Sequence, residues 1–168
     1  MTANDYRPRL VLGIDPGLTG AVAGLAPDHR VELLEDLPTV ARGSGRVRRE
    51  LDAAGLAHLL RPIAGDVRLA VVEQVASRPG QGVASVFSLG HTAGAICGVL
   101  AALGIPLVLV PPTAWKKAVG VPAGSDKDMG RTIAARFHPD LNLSRKRDHN
   151  MADALLLARY ALTMRSAA

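Results

Sequence analysis

The chain has 168 residues, of which 48% are hydrophobic and 21% charged, a composition typical of one folded domain and unlike that of a disordered segment. Lys and Arg total 20 against 15 Asp and Glu, and the net charge of +5 favours a polyanionic partner such as nucleic acid, although a GC-rich genome would also raise the arginine content. The one cysteine, Cys97, excludes an internal disulfide and a cysteine-based zinc site.

Three short strands and a helix are predicted in the first part of the chain. Apolar runs separated by turn signals predict the strands, the second and third of which would continue the first as an antiparallel meander. They are Leu10 to Ile14, Gly20 to Leu25 and Val31 to Leu37. Thr39 to Arg49 is expected to be a loop, and the apolar spacing of Arg48 to Leu60 predicts a helix that ends before Pro62.

The second part of the chain alternates strands with helices. Arg68 to Val72 is a buried strand that follows a helix, so a parallel crossover is expected. The later elements are a helix over Val83 to Leu103, a strand over Ile105 to Val110, a short helix from Pro112, a helix over Asp126 to Phe137, and a final helix from about Asp148 to Met164. This order predicts a single α/β domain with the RNase H-like fold: a mixed five-stranded sheet flanked by helices, with its core at about residues 10–164.

No membrane segment or export signal is expected. Residues Met1 to Asp5 lack the basic and apolar regions of a signal peptide. Ala93 to Val110 contains no charged residue, but Gly104-Ile105-Pro106 divides it into a helix end and a strand. We therefore expect a soluble cytoplasmic protein that does not contact a membrane.

Two acidic residues stand where buried strands end. Asp15 and Glu73 each follow directly on a run of at least four apolar residues. If the two strands are parallel neighbours, both carboxylates lie at the same edge of the sheet, where open α/β sheets place their sites. Polar residues often end strands without any function, but two adjacent carboxylates repel and are commonly neutralised by a divalent cation.

A third group of candidate residues lies at the start of the final helix. His149 and Asp153 are four residues apart and share a helix face, and Asp148 stands at the expected N-cap. Asp153 lies among Ala152, Ala154 and Leu155, where a solvated charge is not expected. These residues with Asp15 and Glu73 predict a site for Mg²⁺ or Mn²⁺, with two ions that would support phosphodiester hydrolysis.

Four segments resemble the landmark segments of RuvC-type Holliday junction resolvases, in the same order and at compatible spacing. They are Gly13-Ile14-Asp15-Pro16-Gly17, Val72-Glu73-Gln74-Val75, Ser125-Asp126-Lys127 and Ala152-Asp153-Ala154-Leu155. Trp115-Lys116-Lys117 is similar to a tryptophan and lysine pair of the phage-type and chloroplast-type members. The resemblance implies a crossover junction endodeoxyribonuclease that acts as a homodimer on four-way branched DNA, during recombination and repair, by symmetric paired nicks.

The resemblance also implies roles for individual residues. Asp15, Glu73 and Asp153 match the catalytic acids, and Lys127 matches an active-site lysine. Bacterial RuvC places an Asp or His at the position of Asn150, whereas His149 matches the chloroplast-like pattern. His149 is therefore the expected further catalytic residue and metal ligand, with Asp148 as the alternative ligand.

Basic and polar residues near these acids are candidate DNA contacts, although clustered charge is often only a solvated surface. The candidates are Arg78, Gln81, Lys116, Lys117, Arg145, Lys146 and Arg147. The bulky aromatic that follows the second acid in bacterial RuvC has no counterpart here, where Val75-Ala76-Ser77 follows Glu73.

Three alternative functions are consistent with part of the pattern. An RNA:DNA hybrid or duplex nuclease would use the same acids on another substrate. An ATP-binding module of the actin and sugar-kinase type also has a first strand ending in Gly-Ile-Asp-x-Gly, but it requires a second phosphate loop and a longer chain. A junction-binding protein without catalytic activity would not require the acids Asp15, Glu73 and Asp153.

Overall fold

The computed structural model describes residues 9–42, 48–77 and 79–164, without the side chains of Arg48, Lys127 and Lys146. The strands are β1 (Leu10–Asp15), β2 (Ala21–Leu25), β3 (Val31–Asp36), β4 (Thr39–Arg42), β5 (Arg48–Leu51), β6 (Val67–Glu73) and β7 (Leu107–Val110). The helices are α1 (Ala53–Leu60), α2 (Val83–Ala102), α3 (Pro112–Ala118), α4 (Lys127–Phe137) and α5 (His149–Thr163). Two short 3₁₀ helices lie at Arg61–Asp66 and Lys146–Asp148.

Five strands form one mixed sheet in the order β3-β2-β1-β6-β7. β1, β2 and β3 are an antiparallel meander, and β6 and β7 continue the sheet parallel to β1. The crossover from β6 to β7 runs through α2, as parallel neighbours require. The predicted mixed five-stranded sheet flanked by helices is confirmed.

The sheet is buried on both faces. Along β1, Val11 packs into a cluster with α3, α4 and α5, whereas Leu12 and Ile14 pack into a second cluster with α1 and α2. This alternation follows from the two-residue period of a strand. A central strand covered on both faces also explains why β1 is a continuous apolar run.

Gly13 allows α5 to lie directly on the sheet. A Cβ at this position would lie 2.1 Å from the Ala158 nitrogen and 2.2 Å from the Ala154 carbonyl oxygen, which no side chain can do without moving the helix. The backbone of α5 therefore approaches β1 two residues before β1 ends at Asp15.

The prediction of a loop over Thr39 to Arg49 is wrong for the described residues 39–42 and 48–49, because β4 and β5 pair as antiparallel strands with Thr39 opposite Leu51; residues 43–47 lie outside the described residues. The Arg49 guanidinium donates hydrogen bonds to the Thr39 hydroxyl (2.7 Å) and carbonyl (3.0 Å). The predicted helix start at Arg48 is also wrong. α1 begins at Ala53 because the Asp52 carboxylate caps it, accepting a hydrogen bond from the Gly55 nitrogen at 2.9 Å.

Within the described ranges, α2 is the one helix that is long and apolar enough to cross a membrane, with a mean hydropathy of 1.6. Its buried residues are Thr92, Ile96 and Leu100, at a spacing of four residues. Only 17% of the most apolar segment of α2 is buried, so most of the surface of this helix faces outward.

Candidate active site

Two acidic residues lie side by side at one edge of the sheet. β1 and β6 are parallel neighbours, and Ile14 pairs with Val72, so that the next residue on each strand is an acid, Asp15 or Glu73. Both strands end there. The sheet register therefore brings together two carboxylates that are 58 positions apart in the chain.

The first turns of α5 complete this acidic group. Because α5 lies against β1 and β2, its N-terminal residues reach the edge at which β1 ends. Asp153 and His149, one helical turn apart, line the same cavity as Asp15 and Glu73. The cavity has a volume of about 940 Å³.

Another part of the cavity lining comes from α3, α4 and the loop between these helices. It contributes two cations, Lys116 and Lys117, and a turn with two glycines of positive φ, Gly120 and Gly124. The cavity lining therefore combines acidic side chains with two lysines.

Glu73 has a buried partner on α3. The Trp115 indole Nε1 donates a hydrogen bond of 2.8 Å to Glu73 Oε2, and the Trp115 side chain is fully buried. The Lys116 Nζ lies 5.1 Å from the centre of the Trp115 ring. This contact joins α3 to the end of β6 beside the cavity.

Asp153 lies against a glycine of α4. A Cβ at Gly130 would lie 3.0 Å from Asp153 Oδ1, closer than ordinary van der Waals contact. Gly130 is buried and also lines the cavity. α4 therefore approaches α5 closely at the carboxylate, because no side chain intervenes.

Asp148 and Asn150 have other neighbours. The Asp148 carboxylate is buried and accepts hydrogen bonds from the Arg145 Nε (2.9 Å) and backbone nitrogen (2.8 Å). Hydrogen bonding from the Arg145 side chain lowers the pKa of Asp148, and Asp148 is not among the residues that line the cavity. Asn150 lines the cavity, and its amide nitrogen donates to the Thr19 carbonyl, which ties α5 to the turn after Asp15.

The donor set suits a hard divalent cation, since three carboxylates and one imidazole are typical ligands of Mg²⁺ or Mn²⁺. In the part of the chain that the structure describes, no three His, Cys, Asp or Glu side chains converge closely enough to hold one ion as they stand. An ion held by three of these side chains at once would require them to rotate towards each other. Asp15, His149 and Asp153 all have interactions in the structure.

The predicted DNA contacts lie in different places. Lys116 and Lys117 line the cavity, and Arg147 is exposed. The Arg145 guanidinium forms an ion pair with Asp148, with 2.9 Å between Nη2 and Oδ1. Gln81 is exposed in the segment before α2, outside the cavity lining. Arg78 and the side chains of Lys127 and Lys146 lie outside the described residues.

The sequence did not reveal the contacts of Trp115 and Gly130 with the acids. The signal for Trp115 was a tryptophan in a chain with only 3% aromatic residues, next to two lysines. For Gly130 the signal was a glycine inside a helix, which usually has a packing or functional reason.

Comparison with known proteins gives one relative and several solved structures. No family model matches the chain. The chain is 28% identical over 148 residues to the chloroplastic Holliday junction resolvase MOC1 of Chlamydomonas reinhardtii. The aligned region covers 80% of this chain and 17% of that relative. The chain thus spans less than a fifth of the relative's length.

The solved structures confirm the predicted RNase H-like fold. Thermus thermophilus RuvC in complex with a Holliday junction substrate matches with a TM-score of 0.70 and 20% identity, over 90% of this chain and 92% of RuvC. The yeast mitochondrial Holliday junction resolvase Ydc2 matches with a TM-score of 0.53 and 15% identity, over 95% and 82% of the chains. The resemblance to RuvC-type resolvases is confirmed at the level of fold.

Proposed function

We propose that this chain, which shares its fold with RuvC, is a structure-selective endonuclease that resolves four-way DNA junctions. The observation that carries the proposal is the convergence of Asp15, Glu73, His149 and Asp153 on one cavity. They come from two strands and one helix. Support also comes from the sequence similarity to a chloroplastic resolvase and from the fold match to RuvC bound to a junction.

The acids would hold divalent ions, Mg²⁺ or Mn²⁺, two per site. When bound, such ions activate water and neutralise the charge that develops during an in-line displacement at phosphorus. Asp15, Glu73 and Asp153 would supply the oxygen ligands and His149 the nitrogen ligand. The ion pair with Arg145 gives Asp148 a structural role instead. Lys127 is proposed to stabilise the scissile phosphate as a point cation.

Basic residues around the cavity would bind the phosphates of the junction arms. Lys116 and Lys117 line the cavity, and Arg147 is exposed just before α5. The remaining proposed contacts are Arg78, Gln81, Arg145 and Lys146. Because neutralised phosphates release counterions, junction affinity should fall steeply with salt concentration. Affinity that is independent of salt would contradict these contacts.

Resolution by paired nicks requires two active sites related by symmetry, so we propose a homodimer. The outer face of α2 is the surface that fits a second copy. Val83 is 86% exposed, Phe87 is 67% exposed, and a Cβ at Gly90, Gly94 or Gly98 would meet no atom within 4 Å. Since Thr92, Ile96 and Leu100 attach the opposite face of α2 to the domain, this apolar stripe is presented to a partner alongside the sheet.

The dimer is tested by Phe87→Gln, which removes apolar area from the stripe, with Val40→Gln on β4 as a control at another exposed apolar residue. Sedimentation should show a dimer for the wild type and the control, and a monomer or a weaker dimer for Phe87→Gln. Junctions cut by Phe87→Gln should carry single nicks in place of paired ones. A variant that dimerises and cuts like the wild type would rule out this face.

The activity is tested with a four-way junction, a linear duplex and an RNA:DNA hybrid of matched sequence, each with Mg²⁺ or Mn²⁺. We expect cleavage of the junction alone, lowered by on the order of a hundredfold or more in Asp15→Asn and Glu73→Gln, with junction binding retained. Asp36→Asn is the matched control, because Asp36 also ends a strand at this edge but does not line the cavity.

Other outcomes would identify the alternatives. Preferred cleavage of the hybrid or the duplex would make the chain another RNase H-like nuclease, and junction binding without cleavage would make it a catalytically inactive binding protein. Cleavage that survives both acid substitutions would remove the proposed mechanism.

The proposed place of action is cytoplasmic DNA.

A further inference from the structure

Trp115 is the chain's only tryptophan, and it is the largest fully buried side chain. Pro112 stands in the first turn of α3, where its missing N–H costs nothing, and this short helix carries Trp115 into the core beside Val110 and Val121. α3 follows β7, which is the parallel neighbour of β6. The sheet thus sets the distance between the indole and Glu73 at the end of β6.

The indole N–H has one acceptor, and that acceptor is a candidate metal ligand. A buried indole N–H requires a hydrogen-bond partner, and a carboxylate is a strong one because the bond is charge-assisted. The 2.8 Å bond from Nε1 involves Oε2 of Glu73, and Glu73 also lines the cavity. One carboxylate oxygen is thus held by the core, which leaves the second oxygen for an ion.

We propose that Trp115 is a positioning residue that orients Glu73 for metal binding. This inference rests on the proposed function for the metal-ligand role of Glu73 and for its kinetic consequence. Apolar packing could hold a tryptophan at this place, but it would not require the N–H to point at an acid. The Lys116 ammonium lies over the same indole, 5.1 Å from the ring centre, so α3 carries both the cation and the indole that holds the Glu73 carboxylate.

The first test observes the contact directly in the metal-free protein. A single tryptophan gives one indole cross-peak in a ¹H–¹⁵N spectrum, and its proton is deshielded when it is bonded to a carboxylate. Glu73→Ala should move this cross-peak upfield and speed its exchange with water. Asp153→Ala removes another carboxylate of the same cavity and should leave the cross-peak nearly unchanged. A cross-peak that does not respond to Glu73→Ala overturns the inference.

The second test measures Mn²⁺ binding by titration calorimetry. Substitution of a group that orients a metal ligand costs roughly 10- to 100-fold in metal affinity or activity, so Trp115→Phe should raise the Kd for Mn²⁺ by about tenfold or more. Leu100→Ala is the matched control, because it also shortens a fully buried side chain but lies in the core cluster on the other face of the sheet. An equal loss of Mn²⁺ affinity in both variants would reduce Trp115 to a packing residue.

The third test separates kcat from KM on a four-way junction. Trp115→Phe should lower kcat by about tenfold or more at subsaturating metal, with KM for the junction unchanged, and excess Mn²⁺ should restore part of the loss. If the wild type cleaves no junction, the proposed function fails, and the cross-peak and Mn²⁺ affinity still decide the role of Trp115. If the wild type cleaves and Trp115→Phe retains both kcat and Mn²⁺ affinity, the positioning role fails alone.

Discussion

Gly130→Ala should separate stability from activity, because the new methyl group meets one atom of the site. A Cβ at Gly130 would lie 3.0 Å from Asp153 Oδ1, and its next neighbour, Leu156 Cδ1, is 4.0 Å away. The contact with Leu156 is ordinary, whereas the contact with the carboxylate is too close. The Asp153 side chain must therefore turn away from α4 by a few tenths of an ångström.

The two effects of this substitution have opposite signs. Alanine inside a helix is more stable than glycine by about 1 kcal/mol, which corresponds to a rise in Tm of roughly 2–4 °C for a chain of this size. Rotation of the terminal carboxylate absorbs the close contact at a smaller cost, so the Tm should stay equal or rise. A misplacement of 1 Å at a reacting centre can cost roughly a hundredfold, so the smaller shift of Asp153 should lower kcat by about tenfold.

The assay pairs thermal unfolding with junction cleavage at fixed Mg²⁺. Gly65→Ala is the control, since a Cβ at Gly65 meets no atom within 4 Å and Gly65 lies outside the cavity. It should leave kcat unchanged. A Gly130→Ala protein with wild-type kcat would refute the role of the α4 contact, and one with a Tm several degrees lower would show that the backbone, and not the carboxylate, takes up the strain.

Two further predictions concern pH and stability. Hydrogen bonding from the Arg145 side chain lowers the pKa of Asp148 below 3.8, so the charged carboxylate stabilises the fold above about pH 4. Asp148→Asn should therefore lower the Tm at pH 7. The difference in Tm between this variant and the wild type should disappear as the pH falls below the pKa of Asp148 in the folded protein. Burial, and next the Arg159 charge, lower the pKa of His138 below 6.5, so charging His138 opposes folding in acid. His138→Gln should therefore lose less stability than the wild type between pH 7 and 5 in thermal melts, and equal losses would contradict this assignment.

The sequence was sufficient where local patterns determine the structure. Continuous apolar runs predicted β1 and β6 because a central strand covered on both faces has no polar positions. The same runs located Asp15 and Glu73, which are the partly exposed residues that follow the buried positions at the end of each strand. Helical spacing then placed His149 and Asp153 on one face, since residues four apart are neighbours on a helix.

Contacts between distant segments were beyond local patterns. The β4–β5 hairpin was missed because its polar and basic residues read as a loop, and the pairing of Thr39 with Leu51 is a tertiary fact. The ion pair that occupies Asp148 could have been suspected from Arg145 three residues earlier, yet its burial depends on the whole fold. The hydrogen bond of Trp115 to Glu73 joins residues 42 positions apart.

Close backbone packing links the fold to the site. Gly13 lets α5 rest on β1, and Gly130 lets α4 approach α5, so both glycines remove side chains where two elements must meet near an acid. The packing of α5 on β1 places Asp153 in the cavity that Asp15 also lines, and the approach of α4 places Gly130 against the Asp153 carboxylate. A Cβ at Gly13 would lie 2.1 Å from the Ala158 backbone nitrogen, so a larger residue there would displace the α5 backbone itself. Such a substitution should therefore destabilise the fold as a whole. At Gly130 the obstacle is a mobile carboxylate end, which is why catalysis should fail there while the fold survives.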